Sequence, residues 1–124
     1  MASSHRAFVL RHTRVLPVPG LAGIRLHLAD QVLPLWHAVQ LETGDPDAAL
    51  PYWAFAWGGG LAIARYLAEH PEAVAGRRVV DFASGSGLCA VAASKAGASG
   101  ATGIDIDTPT RARKVGNEYQ SPTP

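Results

Sequence analysis

The sequence predicts an α/β fold in which two parallel strands are joined by a helix. Residues 79–82 form an apolar run that ends at a segment of small residues, 83–87. An alanine-rich stretch, residues 88–96, follows, and a second apolar run covers residues 101–104. A strand, a tight turn, a helix and a returning strand form the unit that gives parallel pairing, because parallel strands need a crossover connection.

The segment upstream of this unit carries weaker local signals. A serine near the N-terminus can cap a short helix over residues 4–14, and prolines with a glycine at residues 17–20 predict a loop. Residues 24–29 alternate apolar and polar side chains, as a half-buried strand does, whereas residues 32–40 fit either a strand or a helix. The Gly-Asp-Pro-Asp run at residues 44–47 predicts a turn.

An aromatic segment precedes the next predicted helix. Trp53, Phe55 and Trp57 recur at a spacing of two, so their side chains share one face if the segment is extended. Three consecutive glycines, residues 58–60, argue against a regular helix in this segment. Apolar residues at helical spacing then predict a helix over residues 61–69, which ends before a proline.

The turn between the first predicted strand and its helix has the features of a ligand site. Backbone N–H groups at the start of a helix lack intrahelical partners, and Gly85 and Gly87 allow a ligand to approach the backbone. Asp105 ends the second predicted strand about 20 residues beyond the turn, where a doubly wound fold places a carboxylate beside a ribose. These residues predict an adenosine-containing ligand, and a tight turn without a ligand is the alternative.

Two classes of cofactor compete for this turn. The run Gly85-Ser86-Gly87-Leu88-Cys89-Ala90 fits a dinucleotide fingerprint, in which a pyrophosphate rests on the helix N-terminus. Asp81 lies directly ahead of the turn, and a carboxylate there repels a pyrophosphate and attracts an ammonium. S-adenosylmethionine carries an amino group and a sulfonium but no phosphate. It is therefore the favoured ligand, and a nicotinamide or flavin dinucleotide stays open.

The same residues resemble those of a known family. The run Asp81-Phe82-Ala83-Ser84-Gly85-Ser86-Gly87 resembles the first motif of class I S-adenosylmethionine-dependent methyltransferases, and Asp105-Ile106-Asp107 resembles the acidic segment after their second strand. The preceding run Leu50-Pro51-Tyr52-Trp53-Ala54-Phe55-Ala56-Trp57-Gly58-Gly59-Gly60 is similar to one branch. That branch contains the lysine methyltransferases of the electron-transfer flavoprotein β subunit and bacterial relatives labelled nicotinamide-N-methyltransferase-like or ribosomal-protein-methyltransferase-like. The resemblance covers roughly residues 5–107.

The resemblance implies a Rossmann-like class I methyltransferase fold, S-adenosyl-L-methionine as cofactor, and protein lysine N-methylation. It also implies that the aromatic segment borders the cofactor and that a protein with a lysine acceptor is the partner. The predicted cofactor-binding residues are Trp53, Gly59 or Gly60, Asp81, Ala83, Ser84, Gly85, Gly87 and Asp105. Ala83 stands where the family usually has a glycine, which is tolerable if the backbone there keeps a negative φ. No catalytic residue is assigned, because the family's acceptor-binding elements follow the second strand.

The chain divides into three predicted parts. Residues 1–50 are an N-terminal extension, residues 51–107 are the S-adenosylmethionine-binding part, and residues 108–124 are a polar tail without a sustained apolar period. The family's fold continues through further strands, so we expect an incomplete fold, truncated after its first two parallel strands. We accordingly expect little or no methyl transfer by the 124-residue chain alone.

Composition argues against several other functions. The formal net charge of +1 gives no electrostatic footprint for nucleic acid or an anionic membrane. The five histidines lack a metal-binding spacing, so no metal site is proposed, and the one cysteine, Cys89, is expected to be a small packing residue. The apolar run at residues 7–10 is too short for a signal peptide or a membrane span, which favours a cytoplasmic protein over one with a basic import sequence.

Two functions of other classes remain open at this stage. One is a dinucleotide-dependent oxidoreductase, which the glycine pattern alone also allows. The other is a catalytically inactive module that keeps the cofactor loop and binds a partner. The sequence does not indicate the oligomeric state.

Overall fold

The structure is a computed structural model that describes residues 2–21 and 23–106. The predicted polar tail at residues 108–124 and the acidic residue Asp107 lie outside the described residues. The helices and strands, in chain order, are α1 Ala2–His12, β1 Arg14–Pro17, β2 Arg25–Leu28, α2 Val32–Thr43, α3 Gly58–Glu69, β3 Arg78–Phe82, α4 Leu88–Lys95 and β4 Gly100–Ile104. Two 3₁₀ turns, Tyr52–Ala54 and Pro71–Ala73, flank α3.

The predicted α/β unit is present. Strands β3 and β4 pair in parallel, with Arg78 opposite Gly100 and Phe82 opposite Ile104, and α4 provides the crossover between them. The side of β3 that carries Val79 is partly buried, whereas Val80 and Phe82 on the other side are exposed. This alternation follows from the two-residue period of a strand and leaves one face of the described sheet open.

The N-terminal region differs from the prediction in two elements. Helix α1 begins at Ala2, so the serine at position 4 lies inside the helix instead of capping it. The loop predicted over residues 17–20 is present from residue 18, but Pro17 itself belongs to β1, which pairs antiparallel with β2. Proline is compatible with the end of an edge strand, where no ladder hydrogen bond depends on its missing N–H. The predicted strand at residues 24–29 is confirmed by β2.

The ambiguous segment that begins at Val32 is a helix. Pro34 is accommodated in the first turn of α2, where its missing N–H would have no intrahelical partner. The helix ends at Thr43 and is followed by Gly44 in the left-handed conformation, with φ 68°. That conformation is the usual helix stop for a glycine, so the predicted turn at this position is confirmed.

The aromatic segment is not extended throughout, and its glycines are helical. A 3₁₀ turn over Tyr52–Ala54 separates Trp53 from the extended residues around Phe55, so the three aromatic side chains do not share the face of one strand. The prediction that residues 58–60 are non-helical is also wrong, because they form the first turn of α3. Glycines weaken a helix most in its interior, and the packing of α3 against α4 stabilises the element as a whole.

Two groups of buried side chains hold the described residues together. The larger combines the β1–β2 hairpin and its loop with α3, α4 and β4, and includes Leu26, Ala64 and Ala90, none of which is exposed. The smaller joins α1 and α2 to Trp53 and Ala54. Residues on both sides of position 50 therefore share one core, and the hairpin braces the helices that flank the strand-to-helix turn.

Candidate cofactor site

A cavity of about 570 Å³ lies beside the strand-to-helix turn. Its walls come from the aromatic segment, the start of α3, the turn after β3, the start of α4 and the end of β4. Its lining residues are Ala49, Leu50, Tyr52, Trp53, Phe55, Trp57, Gly60, Ile63, Asp81, Phe82, Ala83, Ser84, Gly85, Ser86, Leu88, Cys89, Asp105 and Ile106. The lining includes two carboxylates and no lysine, arginine or histidine, so its formal charge is negative.

Parallel pairing brings the two carboxylates to the same edge of the sheet. Asp81 lies near the carboxyl end of β3, and Asp105 directly follows β4. The backbone N–H of Ser84 donates to the carbonyl of Ile104 at 3.0 Å, which extends the pairing into the turn. The carboxyl ends of adjacent parallel strands are where open α/β sheets bind their ligands.

Asp81 lies in β3 and caps the N-terminus of α4. The residue before α4 is Gly87, which has no side chain to accept a hydrogen bond, and the backbone N–H of Ala90 instead donates to Oδ2 of Asp81 at 3.1 Å. Burial raises the pKa of the Asp81 carboxyl; the hydrogen bond from Ala90 lowers it, and the charge of Asp105 raises it further. The structure thus gives Asp81 a structural function alongside its position in the cavity wall.

Asp105 is bonded to the glycine turn. The backbone N–H of Gly85 donates to its Oδ2 at 2.7 Å, and Gly85 has a φ of 53°. The N–H of Gly87, with a φ of 84°, donates to the carbonyl of Ser84 at 2.8 Å. Several donors that the sequence predicted to face a ligand are therefore engaged within the protein. The turn is held in shape by bonds to the end of β4, to Asp105 and within itself.

The backbone of Ala83 differs from the sequence expectation. Its φ is 57°, in the left-handed region, and it is the only non-glycine residue with positive φ among the described residues. The expectation of a negative φ was wrong. A side chain with Cβ costs about 1–2 kcal/mol in this conformation, because Cβ approaches the following carbonyl oxygen. Strain of this kind recurs at ligand-binding turns, where the surrounding structure over-determines the backbone.

Ser84 contributes an unsatisfied hydroxyl to the cavity wall. Its side chain is buried, and Oγ has no hydrogen-bond partner among the described residues. A buried hydroxyl without a partner costs free energy, so such a group in a cavity wall points to a ligand or an ordered water. Either type of partner would restore its hydrogen bond.

The predicted cofactor-binding residues divide into two groups. Those that line the cavity are Trp53, Asp81, Ala83, Ser84, Gly85 and Asp105. Gly59 and Gly87 do not line it; Gly59 is exposed, and Gly87 is buried at the start of α4. Gly60, the alternative to Gly59, does line the cavity, and a Cβ there would lie 3.6 Å from Leu88 and 3.8 Å from Cys89. Both distances are ordinary van der Waals contacts, so the α3–α4 packing has room for a Cβ at this position.

Trp53 is mostly a core residue. Its side chain is 1% exposed, and its ring lies 6.5 Å from that of Phe8 in the smaller buried group. Sequence reasoning expected the face of Trp53, Phe55 and Trp57 to border the pocket, but it did not assign Tyr52 or Ile63 to the cavity wall. The motif pattern marks only the turn, and no local signal reports that the 3₁₀ turn and the start of α3 fold over it.

Cys89 also lines the cavity but is not a reactive thiol. Burial raises its pKa to about 11, and the charge of Asp81 contributes in the same direction. The thiolate is the nucleophilic form, so Cys89 stays protonated near neutral pH. Its Sγ lies 3.8 Å from the carbonyl oxygen of Gly60, which agrees with a packing residue between α3 and α4.

In residues 2–21 and 23–106, no group of three or more His, Cys, Asp or Glu side chains is placed to hold a metal ion. Within that same part of the chain, none of the helices has both the length and the apolar character needed to cross a bilayer.

Comparisons with known proteins support the family resemblance. A family model described as "Ribosomal protein L11 methyltransferase (PrmA)" matches residues 66–118. The electron transfer flavoprotein beta subunit lysine methyltransferase of Xenopus laevis is 38% identical over 108 residues, covering 86% of this chain and 42% of that protein. Its Danio rerio counterpart is 53% identical over 101 residues, covering 81% of this chain and 38% of that protein.

A bacterial relative matches a shorter segment. The ribosomal protein L11 methyltransferase of Shewanella amazonensis is 62% identical over 34 residues, which are 27% of this chain and 12% of that protein. No solved structure matches the chain significantly. The chain spans about two fifths of the length of the curated electron transfer flavoprotein beta subunit lysine methyltransferases and of their Caenorhabditis elegans homolog.

Proposed function

We propose that the chain is the methyl-donor-binding portion of a protein lysine N-methyltransferase. The proposal is supported by its sequence similarity to class I S-adenosylmethionine-dependent methyltransferases, in the branch of the electron transfer flavoprotein beta subunit lysine methyltransferases. The observation that carries this proposal is the charge of the cavity. Asp81 and Asp105 line it together, and no basic side chain does. Such a wall favours a ligand with a sulfonium and an ammonium over one with a pyrophosphate.

The described residues fit S-adenosylmethionine at three points. The carboxylate of Asp105 has about four acceptor sites, so it can keep its bond to Gly85 and also accept from ribose hydroxyls. Ser84 lines the cavity, and its buried Oγ, which has no partner among the described residues, would gain a hydrogen bond if a polar group of the donor reached it. Asp81 supplies negative charge near the start of α4, where the donor's ammonium would lie.

The protein has little covalent chemistry to supply in this reaction. S-adenosylmethionine, when bound, supplies an electrophilic methyl group on its sulfonium. The described residues would hold and orient the donor, and Leu88, Phe55 and Ile63 give the cavity an apolar wall. The acceptor is proposed to be a protein lysine, because the Xenopus laevis and Danio rerio relatives are named as lysine methyltransferases of a protein subunit.

The dinucleotide alternative finds no support in the relatives, whose names describe methyltransferases. The structure also argues against it on physical grounds. A pyrophosphate at the start of α4 would lie beside Asp81, whose Oδ2 already accepts the backbone N–H of Ala90. A pyrophosphate-binding turn offers its N–H groups to the ligand instead.

A paired calorimetric experiment tests the proposal. S-adenosylhomocysteine is titrated into the chain, into Asp105→Ala and into Asp47→Ala, an exposed carboxylate in the turn after α2 that does not line the cavity. Loss of hydrogen bonds to a charged acceptor should weaken binding by roughly 10- to 100-fold in Asp105→Ala. Asp47→Ala should bind as the parent does. Equal affinity of all three folded proteins would refute the assignment of Asp105.

A further inference from the structure

Three aromatic side chains form a corner at the mouth of the cavity. The rings of Tyr52 and Trp57 have centroids 5.7 Å apart at an interplanar angle of 54°, and those of Phe55 and Trp57 are 5.8 Å apart at 58°. All three line the cavity that also contains Asp81 and Asp105. We call Tyr52, Phe55 and Trp57 the aromatic corner.

The aromatic corner is held in a fixed geometry. The indole N–H of Trp57 donates to the carbonyl of Tyr52 at 2.9 Å, which ties the start of α3 to the 3₁₀ turn. Phe55 is partly buried and packs against the group that contains Trp53. The two outer rings nevertheless face solvent, with Tyr52 54% and Trp57 50% exposed. Exposed aromatic rings grouped at the mouth of a cavity indicate a binding surface.

The chemistry of the corner matches a cation with an apolar surface. Tilted aromatic rings present their negative faces to a cation, and recognition of methylated ammonium groups uses such arrangements. Asp81 and Asp105 add negative charge to the same cavity, and no basic side chain lines it. A neutral apolar occupant would gain nothing from the two carboxylates, whereas an ammonium on an aliphatic stem would gain from both features.

The exposure of the corner suits an acceptor, which must reach the cavity from solvent. Tyr52 and Trp57 are half exposed, whereas Ser84 and Ser86 of the turn are buried. The ring faces of Tyr52 and Trp57 are therefore accessible to an arriving side chain. We propose that the aromatic corner is a binding site for the acceptor's ammonium head, either a lysine side chain or its methylated product. This inference rests on the proposed methyltransferase function.

The experiment uses a cationic probe and a neutral isostere of it. The indole N–H resonance of Trp57, assigned from its loss in Trp57→Phe, is followed by NMR while the chain is titrated with Nα-acetyl-trimethyllysine amide. The isostere replaces the quaternary nitrogen with carbon. Each titration is run with and without saturating S-adenosylhomocysteine. We expect the cationic probe to bind roughly 3- to 30-fold more tightly than the isostere, which is the range of a partly desolvated cation–π contact.

Matched variants locate the site. Tyr52→Leu should weaken binding of the cationic probe by a similar factor, and Tyr52→Phe, which keeps the ring face, should retain it. Tyr66→Leu is the control, because Tyr66 is also 54% exposed but stacks on His70 and does not line the cavity. Tyr66→Leu should leave the affinity for S-adenosylhomocysteine unchanged within about twofold, because Tyr66 does not line the cavity.

Four results would overturn the inference. These are equal binding of the cationic probe and the isostere, no binding of the cationic probe, an equal loss in Tyr66→Leu, and a selective loss of S-adenosylhomocysteine affinity in Tyr52→Leu. The last would assign the corner to the donor. Failure of S-adenosylhomocysteine to bind the parent chain would instead refute the proposed function. The titrations of the cationic probe in the absence of S-adenosylhomocysteine would still show whether the aromatic corner binds a cation.

Discussion

Replacing Ala83 with glycine is expected to stabilise the protein, although it removes a methyl group. Ala83 has a φ of 57°, a conformation that costs a residue with Cβ about 1–2 kcal/mol. Glycine avoids that cost but gains conformational entropy in the unfolded chain, which offsets about 0.4–1 kcal/mol of the benefit. Ala83 is exposed, so little packing is lost. The expected net gain is about 1 kcal/mol, or a rise in Tm of roughly 3–5 °C.

The control is the same substitution at a residue with ordinary helical geometry. Ala62 is an exposed residue of α3, where alanine to glycine should cost about 0.5–1 kcal/mol. Urea unfolding of the parent chain, Ala83→Gly and Ala62→Gly therefore should give shifts of opposite sign in the midpoint, with unchanged slope. A loss of stability in Ala83→Gly equal to that in Ala62→Gly would show that the turn is not strained at Ala83.

Three further predictions concern the cavity wall. Gly85→Val should abolish S-adenosylhomocysteine binding in calorimetry, because a branched side chain does not tolerate a φ of 53°. Gly100→Val is the control and should bind normally, because Gly100 has an ordinary φ and nothing lies within 4 Å of the added Cβ. Burial raises the pKa of Asp81 above 3.8, so the ionised carboxylate destabilises the folded chain, and this cost disappears as the pH falls through the raised pKa. Asp81→Asn should therefore stabilise the chain at pH 7 and lose this advantage near pH 3.8, as measured by urea unfolding. A stability difference that does not change with pH would contradict this prediction. Cys89, with a pKa of about 11, should react with a disulfide reagent at least about 100-fold more slowly in the folded than in the unfolded chain. The reaction should be slower still with S-adenosylhomocysteine bound, because Cys89 lines the cavity. Equal rates in the folded and unfolded chains would contradict the raised pKa.

The parallel unit could be predicted because its signals are local. The apolar runs, the small-residue turn and the alanine-rich helix each report their own element, and the crossover rule makes the strands adjacent and parallel. The same rule places Asp81 and Asp105 at one edge of the sheet. Both carboxylates line the cavity for that reason, and their positions required no knowledge of distant packing.

Features that depend on contacts distant in sequence could not be predicted. The strand β1 exists because β2 and the larger core stabilise it, although its proline favours a loop locally. The positive φ of Ala83 is imposed by the bonds of Ser84 to Ile104 and of Gly87 to Ser84, against the preference of alanine. The function of Asp81 as an external cap depends on the approach of α4 to β3.

The aromatic segment shows the same limit at the site. Its spacing of two predicted one shared face, but a 3₁₀ turn buries Trp53 in the smaller core and leaves Trp57 half exposed. Residue spacing alone does not report a change of backbone conformation within the segment. Trp53, Phe55 and Trp57 all line the cavity, but only the structure shows that Trp53 is also a core residue.

The most direct test is a parallel calorimetric titration of the chain with S-adenosylhomocysteine, NAD and FAD. The charge of the cavity and the similarity to methyltransferases predict that S-adenosylhomocysteine binds and that neither dinucleotide binds measurably at the same concentration. Binding of NAD or FAD in preference to S-adenosylhomocysteine, or no binding of S-adenosylhomocysteine by the folded chain, would contradict the assignment of this cavity to the methyl donor.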